Sequence, residues 1–282
     1  MTTSTALTPS RFKLIRASAA LWRVTFDNPP LNLIDPAMIV ELHQLLDAIE
    51  DDDDVAVVVF DSADPDFFLA HYHVTADPAP LDVLPEVSNP FLHWANFLIR
   101  LSKSPAVTIT ALRGRARGAG SEFALATDIR FASRERAVIG QFEVGMAAIP
   151  GGGPSTRLPG IVGRARAFEI LLGGEDFDGA LAERYGYVNR AIPDADFVDF
   201  VDAYAQRVSR FDPQALADIK QFVNAASLPA DITLTGEMRA FIDAIGRPAT
   251  KSAIEQALEQ GWNQRSEFEI DLGTHVAKLT TT

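Results

Sequence analysis

A glycine-containing turn at residues 113–122 is the first stretch whose residue types could do chemistry; it reads Arg-Gly-Arg-Ala-Arg-Gly-Ala-Gly-Ser-Glu. Its small residues leave the N-terminus of a following helix uncovered, so free N–H groups there can point at a ligand oxygen. Gly118 and Gly120 allow the ligand to approach closely, although glycines at such turns also serve packing alone. A dinucleotide fingerprint fits poorly, because Phe123 stands where its last glycine belongs.

A glutamate in an apolar setting marks the second stretch, residues 141–153, where Glu143 precedes a Pro-Gly-Gly-Gly turn that begins at Pro150. Such neighbours are unusual for a surface charge, so Glu143 is interpreted either as a buried ion-pair partner or as a catalytic group. If Glu122 of the first stretch lies nearby, the two carboxyl groups titrate as a coupled pair, with one held protonated near neutral pH.

Alternating strands and helices must position these two stretches. Apolar runs predict strands at residues 21–26, 55–60, 107–112 and 129–132. Helices are predicted between them, the first starting at Asp35-Pro36, and this alternation indicates parallel β/α units. From about residue 194 strand-like runs disappear and helical patterns follow one another. We therefore predict an α/β core of residues 1–195 that carries the site, and a helical region of residues 196–282.

Composition argues against several classes of partner. The formal net charge of −13 lacks the basic footprint of a nucleic-acid-binding protein and repels anionic membranes. There is no cysteine, so no disulfide framework forms. The polar start, Met1–Ser10, is no secretory signal, no apolar run approaches the ~20 residues that span a bilayer, and Thr280–Thr282 is no peroxisomal address. We expect a cytoplasmic protein.

Several motifs in sequence order resemble the crotonase (enoyl-CoA hydratase/isomerase) family. The match covers about residues 15–195. The motifs are R-G-x-A-x-G-x-G-x-E at 113–122, a strand at 128–131, G-x-x-E at 140–143, P-G-G-G at 150–153, R-L-x-x-x-V-G at 157–163, Ala-Phe-Glu at 167–169 and Gly-Tyr-Val-Asn at 186–189, with 27–30 and 66–70 upstream. Because they are several, ordered and correctly spaced, we identify the chain as a member of this family.

The resemblance implies a spiral of stacked ββα turns and a C-terminal helical region that builds trimers, often paired into hexamers. It implies two backbone N–H groups around a thioester carbonyl, which map to Ala70 and Ala119 here. Family hydratases hold a water between two glutamates, which map to Glu122 and, with one inserted residue before it, Glu143. We therefore expect an enoyl-CoA hydratase-like hydro-lyase of fatty acid metabolism, with coenzyme A as part of its substrate and no separate cofactor.

Elementary chemistry supports this division of labour. Adding water across a conjugated thioester puts negative charge on the carbonyl oxygen, and one preorganised N–H donor stabilises it by about 3–4 kcal/mol. Proton transfer at carbon needs a positioned acid or base. Our hypothesis is that Glu143 moves the proton at the α-carbon while Glu122 orients or activates water; Gly118 and Gly151 are expected to contact the substrate.

The first oxyanion loop departs from the family pattern. The family usually has small-Ala-Gly-x-Asp, whereas this chain has Leu69 to His73, reading Leu-Ala-His-Tyr-His. We expect His71, Tyr72 and His73 either to shape the substrate site or to pack against the next helix. A metal site is not expected, because two histidines at i and i+2 without a further ligand make poor zinc spacing.

Cations for coenzyme A phosphates are missing from their usual places. Between Val24 and Ile99 the chain has neither lysine nor arginine. The remaining candidates are Lys103, Arg115, Arg117 and, from a neighbouring subunit, Lys278. Two alternatives therefore stay open: isomerisation, decarboxylation, or hydrolysis of a thioester or β-diketone, including on a substrate without coenzyme A; and a non-enzymatic ligand-binding role.

Overall fold

The computed structural model describes residues 8–279, which form ten strands, twelve α-helices and two short 3-10 helices. The strands are β1 Phe12–Arg16, β2 Leu21–Phe26, β3 Val57–Ser62, β4 Phe67–Leu69, β5 Val107–Leu112, β6 Arg115–Arg117, β7 Ile129–Ser133, β8 Val138–Gly140, β9 Asp176–Asp178 and β10 Arg190–Ile192. The helices are α1 Pro36–Glu50, α2 Leu92–Lys103, α3 Ala119–Ala126, α4 Pro154–Val162, α5 Arg164–Gly173, α6 Gly179–Tyr185, α7 Asp194–Val208, α8 Pro213–Ser227, α9 Asp231–Ile245, α10 Pro248–Glu259, α11 Glu267–Ile270 and α12 Leu272–Val276.

Two sheets are built turn by turn along the chain. The larger has the order β1-β2-β3-β5-β7-β10 and the smaller β4-β6-β8-β9. Only β1–β2 and β8–β9 pair antiparallel within them. Each turn places one strand in each sheet and then a helix: β3 and β4 with α2, β5 and β6 with α3, β7 and β8 with α4. The expected spiral of ββα turns is thereby confirmed.

Local chemistry explains the predicted elements. Asp35 caps α1, since its side chain accepts from the Met38 N–H at 2.7 Å, and Pro36 occupies the first turn. Strand β3 begins two residues later than predicted, at Val57, although the Ala56 N–H already donates to the Ala20 carbonyl of the neighbouring chain segment at 3.0 Å. Between the two sheets the ring of Phe123 meets neighbouring phenylalanine rings at centroid distances from 5.0 to 6.1 Å. This aromatic core anchors α3, the helix that opens at the glycine turn.

The helical region folds back onto its own core. Trp262, Phe268, Leu272 and Val276 form one buried cluster with Phe142 and Met146 of the core. Helices α7 to α10 are the consecutive helices expected from about residue 194, whereas the two short helices α11 and α12 were not predicted. The tail therefore closes over the face of the core that carries the two glutamates.

Between Thr8 and Leu279 no helix is long and apolar enough to cross a membrane. The last strand, β10, ends at Ile192, close to the expected boundary at residue 195. Most of the N-terminal segment and the Thr280–Thr282 end, from which we expected no targeting signal, lie outside the described residues.

Candidate active site

The glycine turn delivers a free N–H group at the start of α3. Gly118 has φ 49° and ψ −120°, and Ala119 is the first helical residue. A Cβ on Gly118 would lie 2.7 Å from Oε1 of Glu143 and 2.9 Å from the Phe142 ring, so only glycine fits there. Within residues 8–279 the Ala119 N–H has no acceptor, as expected for the first turn of a helix. Ala119 lines the pocket described below.

Glu122 lies in the first turn of α3 with 3% of its surface exposed. Its Oε1 accepts from the N–H groups of Gly151 and Gly152 at 3.1 and 2.7 Å, and its Oε2 accepts from the Trp94 indole N–H at 2.7 Å. Burial raises the pKa of Glu122 to about 7, and the three hydrogen bonds limit that rise because they favour the charged form. Glu122 is thus poised to change charge near neutral pH.

Glu143 starts a short 3-10 helix, Glu143–Met146, and is also buried. The Gln141 amide, oriented so that both its ends are satisfied, donates to the two carboxyl oxygens of Glu143 at 3.2 and 3.0 Å. Burial, and then the charge of Glu122, raise the pKa of Glu143 well above its ordinary value. Two interacting carboxyl groups share protons as a pair, so the first proton is held on Glu143.

One pocket collects both glutamates and the Ala119 N–H. It encloses about 60 Å³, which is room for a few water molecules or the reactive end of a small ligand. Apart from the glutamates, its walls are mostly apolar and come from the core, the 71–74 loop and the tail. The apolar and aromatic lining residues are Val74, Phe91, Trp94, Phe142, Met146, Met238, Phe241, Ile245, Ile254 and Trp262. Such walls exclude bulk water from the two carboxyl groups.

The second N–H group at the pocket belongs to Tyr72 and not, as predicted, to Ala70. The Ala70 N–H donates to the Asn32 carbonyl at 3.2 Å, and Ala70 does not line the pocket, so it is not available as predicted. Tyr72 lies in a parallel bridge with Ile34, held by hydrogen bonds of the two flanking residues. Its own N–H has no acceptor in the described part of the chain, and Tyr72 does line the pocket.

His71 binds the tail rather than the next helix. Its Nδ1 faces the Tyr72 carbonyl at 3.0 Å and its Nε2 faces Glu269 at 3.2 Å. Both partners, the Tyr72 carbonyl and the Glu269 carboxyl group, can accept a hydrogen bond from the ring. Burial opposes ionisation of Glu269, but the His71 charge and hydrogen bonds from His71 and Asn263 lower its pKa. The imidazole also stacks on Trp262, with ring centroids 4.9 Å apart.

His73 and Gly118 do not line the pocket, contrary to the prediction that they contact the substrate. The His73 ring faces Thr75 Oγ1 at 3.4 Å, and burial, followed by nearby His71, lowers its pKa. Gly118 instead makes room beneath Glu143. The predicted residues that the structure does bring to the pocket are Glu122, Glu143, Ala119, His71, Tyr72 and Gly151.

Sequence reasoning missed three functional neighbours. The indole N–H of Trp94 on α2 donates to Glu122, a contact that its place among apolar helix residues does not reveal. Glu237 of the tail is buried and contributes to the raised pKa values of both glutamates. A signal existed for Glu237, since it falls on the apolar stripe of α9 together with Leu234, Met238 and Phe241. The third neighbour is Gln141, whose amide contacts Glu143 although it lies at a variable position of the G-x-x-E motif.

Most of the candidate phosphate-binding cations have other partners. Lys103 pairs with Asp231 at 2.7 Å, Arg117 pairs with Asp176, and Arg115 donates to the Ile270 and Asp66 carbonyls. Lys278 is exposed and has no acidic partner in the described residues. Two cations not foreseen from the sequence are close in the chain to Ile245 and Thr250, which line the pocket. They are Arg247 and Lys251, both exposed and without an ion pair in residues 8–279.

Comparison with known proteins gives consistent similarities. The family profile described as enoyl-CoA hydratase/isomerase matches residues 16–264. A solved structure of a candidate enoyl-CoA hydratase from Streptomyces avermitilis is 41% identical, with a TM-score of 0.92 over 97% of this chain and 98% of that one. DspI of Pseudomonas aeruginosa is 27% identical, with a TM-score of 0.71 over 86% and 98% of the two chains. A protein of Mycobacterium tuberculosis assigned as an enoyl-CoA hydratase is 29% identical over 207 residues, 72% of this chain and 77% of its own length.

Proposed function

Because this chain belongs to the enoyl-CoA hydratase/isomerase family, the crotonases, we propose that it adds water across the double bond of a short 2-enoyl thioester. The observation that carries the proposal is the meeting of two buried carboxyl groups and two free backbone N–H groups in one water-excluding pocket. The carboxyl groups belong to Glu122 and Glu143, and the N–H groups to Tyr72 and Ala119. Each component has a place in the hydration of a conjugated thioester.

The N–H groups of Tyr72 and Ala119 form the proposed oxyanion hole. As water attacks, the double-bond electrons move toward the thioester carbonyl and its oxygen becomes negative. Each fixed N–H donor aimed at that oxygen stabilises the transition state by about 3–4 kcal/mol. Main-chain donors do not depend on side-chain identity, so an alanine and a tyrosine serve as well as glycines. The bridge to Ile34 holds Tyr72 in place, and the helix start holds Ala119.

The two glutamates divide the proton transfers. Ionised Glu122 accepts a proton from water while the water oxygen bonds to the β-carbon. Protonated Glu143 gives its proton to the α-carbon, which completes the saturated 3-hydroxy thioester. A proton then passes from Glu122 to Glu143, and the starting state is restored. A pKa of about 7 for Glu122, and a pKa of Glu143 raised well above its ordinary value by burial and by the charge of Glu122, support these roles.

Coenzyme A is the proposed thiol of the substrate, with its phosphates near Arg247 and Lys251. These two residues are close in sequence to the pocket residue Thr250, are exposed, and have no ion pair in the described chain. A second candidate is a related reaction, such as isomerisation, decarboxylation or hydrolysis, on a substrate without coenzyme A. It is favoured by the engagement of Lys103, Arg115 and Arg117 in other contacts. His71 is not assigned as the acid or base in either case, because its two ring nitrogens face the Tyr72 carbonyl and Glu269.

A thermal-shift panel separates the two candidates. A ligand at 100 times its dissociation constant stabilises the fold by about 2.7 kcal/mol. Coenzyme A and short acyl-CoAs are expected to raise Tm, and Arg247→Glu and Lys251→Glu to weaken that rise, while Arg210→Glu, an exposed cation outside the pocket wall, leaves it unchanged. No shift with any acyl-CoA would remove coenzyme A from the proposal. Turnover of crotonyl-CoA to the 3-hydroxy product then distinguishes hydratase from isomerase.

We further propose that the chain assembles as a trimer or a pair of trimers. Helix α8 exposes an apolar row, with Ile219, Phe222 and Val223 each more than half exposed. Covering such a row with another copy of the chain lowers the free energy of the protein in water. The location favoured by this proposal is the cell interior, where coenzyme A esters are available.

A further inference from the structure

A chain of buried polar side chains leads from Tyr187 to Glu143. The Tyr187 hydroxyl lies 2.6 Å from Ser121 Oγ. Ser121 Oγ donates to the Gln141 amide oxygen at 2.9 Å, and the Gln141 amide nitrogen donates to Glu143 at 3.0 Å. Tyr187, Ser121 and Gln141 are each at most 1% exposed. A polar chain so deep in the fold has a cost unless every donor and acceptor in it is satisfied.

The direction of this chain follows from Tyr187. Burial raises the pKa of its phenol, which therefore keeps its hydrogen and must donate it. Within the described residues its O–H reaches only Ser121 and Gln141. If Gln141 accepts from the phenol, it does so with its amide oxygen. If Ser121 accepts, its own hydroxyl hydrogen is donated to the Gln141 amide oxygen. The N–H end of Gln141 then faces Glu143.

We propose that Tyr187 and Ser121 are positioning residues, which fix the Gln141 amide with its N–H group toward Glu143. There the N–H group stabilises the carboxylate that forms when Glu143 gives its proton to the α-carbon. With the amide reversed, the new carboxylate would face a carbonyl oxygen and the transfer would be opposed. This inference rests on the proposed function.

Other titratable and charged groups also face Glu143 and Tyr187. Glu143 is faced by Glu122 from α3 and by Glu237 from α9. Tyr187 is faced by Glu143 and by buried Arg130 of β7, whose Nε donates to the Tyr187 carbonyl at 3.0 Å. None of these groups donates to Glu143, so the amide N–H is the group whose orientation decides how well its carboxylate is stabilised.

The first test is turnover of crotonyl-CoA by the Tyr187→Phe variant. Loss of the O–H frees the amide to turn, so kcat is expected to fall about fivefold to tenfold while KM stays nearly constant. Tyr185→Phe is the matched control, because the Tyr185 hydroxyl binds Glu169 away from the pocket and its loss leaves kcat unchanged. Equal kcat in wild type and Tyr187→Phe would overturn the proposal.

A double-mutant cycle shows whether Tyr187 acts through the amide. Gln141→Met keeps the volume of the side chain but removes both amide ends. In that background Tyr187→Phe is expected to add no further loss of kcat, because nothing is left to orient. Fully additive losses would mean that Tyr187 acts by another route, and the proposal would fail.

A substrate-free measurement separates this proposal from the proposed function. In protein labelled with ¹³C at the glutamate carboxyl carbons, the Glu143 signal is assigned by its absence in Glu143→Gln. Tyr187→Phe is expected to raise the pKa of Glu143 by about half a unit or more, and Tyr185→Phe to leave it unchanged. An unchanged pKa of Glu143 in Tyr187→Phe would refute the positioning role of Tyr187. Absence of crotonyl-CoA turnover by wild type would refute only the proposed hydratase function. If Tyr187→Phe does not fold, Ser121→Ala removes the same link.

Discussion

At the scale of single residues, the two glutamates differ in how many donors reach them. Both are buried, which raises both pKa values, but three N–H groups bind Glu122, whereas Glu143 has the Gln141 amide and its own backbone N–H. The charged form is therefore better stabilised at Glu122. A proton shared by the pair rests on Glu143, and this is the state that the proposed hydration starts from.

The pH dependence of kcat follows from the requirement that Glu122 is ionised and Glu143 is protonated. Below about pH 7 Glu122 takes up a proton and can no longer accept one from water, so kcat is predicted to fall as the pH falls through this value. As the pH rises through the raised pKa of Glu143, this residue loses the proton that it donates, so kcat falls again. A kcat profile measured with a saturating 2-enoyl thioester checks both limbs. A kcat that stays constant as the pH falls through 7 would contradict the role of Glu122.

Trp94→Phe moves the acidic limb in a predictable direction. The change removes one of the donors that favour ionised Glu122, so the pKa of Glu122 rises and the limb moves to higher pH by about 0.5–1 unit. Trp22→Phe is the control, because Trp22 is an equally buried tryptophan that contacts Arg16 instead. A limb that moves equally in both variants would show that the effect is not specific to the hydrogen bond.

The sequence was sufficient to find the glutamates and insufficient to choose the right N–H donor. Glu143 stood out because a carboxyl group among apolar neighbours is rare, and Glu122 because it matches a glutamate of the family motif. Ala70 and Tyr72 lie in the same extended loop, and the structure decides between them by pairing. The Ala70 N–H is taken by Asn32, while that of Tyr72 is left free. Such pairing depends on where residues 32–34 lie, which no local pattern in the loop reveals.

At the scale of elements, the tail is tied to the core next to the oxyanion loop. His71 of that loop binds Glu269 of α11, and Arg117 donates to the Glu269 and Ile270 carbonyls at 2.8 and 3.0 Å. Trp262 covers the His71 ring. Helix α11 therefore supports the backbone that presents the Tyr72 N–H, although it makes no contact with the pocket itself.

Glu269→Gln tests this tie. Breaking a buried ion pair costs about 3 kcal/mol or more, so the free energy of unfolding at neutral pH is predicted to fall by about that amount. The pKa of Glu269 is lowered in the fold, so its contribution is present above the ordinary glutamate pKa and disappears as the pH falls through the lower folded value. The deficit should therefore shrink in acid. Urea unfolding at both pH values measures it.

Glu267→Gln is the matched control for that experiment, since Glu267 is exposed on the same short helix. It is predicted to change the free energy of unfolding by less than about 0.5 kcal/mol. A Glu269→Gln protein as stable as the control would show that the His71 contact does not hold the tail.

Elements with a long pattern were predictable, and short ones were not. Strands β2 and β5 were placed correctly because six apolar or alternating residues give a clear period. The strands of the smaller sheet have only three residues each, too few to show any period. The closure of the tail over the pocket was also missed, because His71 and Glu269 lie 198 positions apart and no sequence pattern joins them.

At the scale of the whole molecule, an acidic protein presents an apolar face on one helix. The net charge of −13 keeps molecules apart, yet Phe222 on α8 is 78% exposed and has exposed apolar neighbours. This combination favours one specific apolar contact between copies over unspecific association. The proposed trimer buries that face.

Phe222→Asp is predicted to reduce the oligomer to single chains, because it places a charge in the apolar contact. Light scattering should give a multiple of three chain masses for wild type and one chain mass for the variant. Val83→Asp is the control, since Val83 is similarly exposed but lies outside the tail. A wild-type protein that is monomeric at high concentration would contradict the proposed assembly.

The most direct test of the proposed chemistry is hydration of crotonyl-CoA in D₂O by wild type, Glu122→Gln and Glu143→Gln. Wild type is predicted to give a 3-hydroxy product with one deuterium at the α-carbon, because the proton on Glu143 has exchanged with solvent. Each variant is predicted to lose at least about 100-fold in kcat, the usual contribution of a positioned acid or base. Full turnover by both variants would contradict the assignment of Glu122 and Glu143 as the acid/base pair.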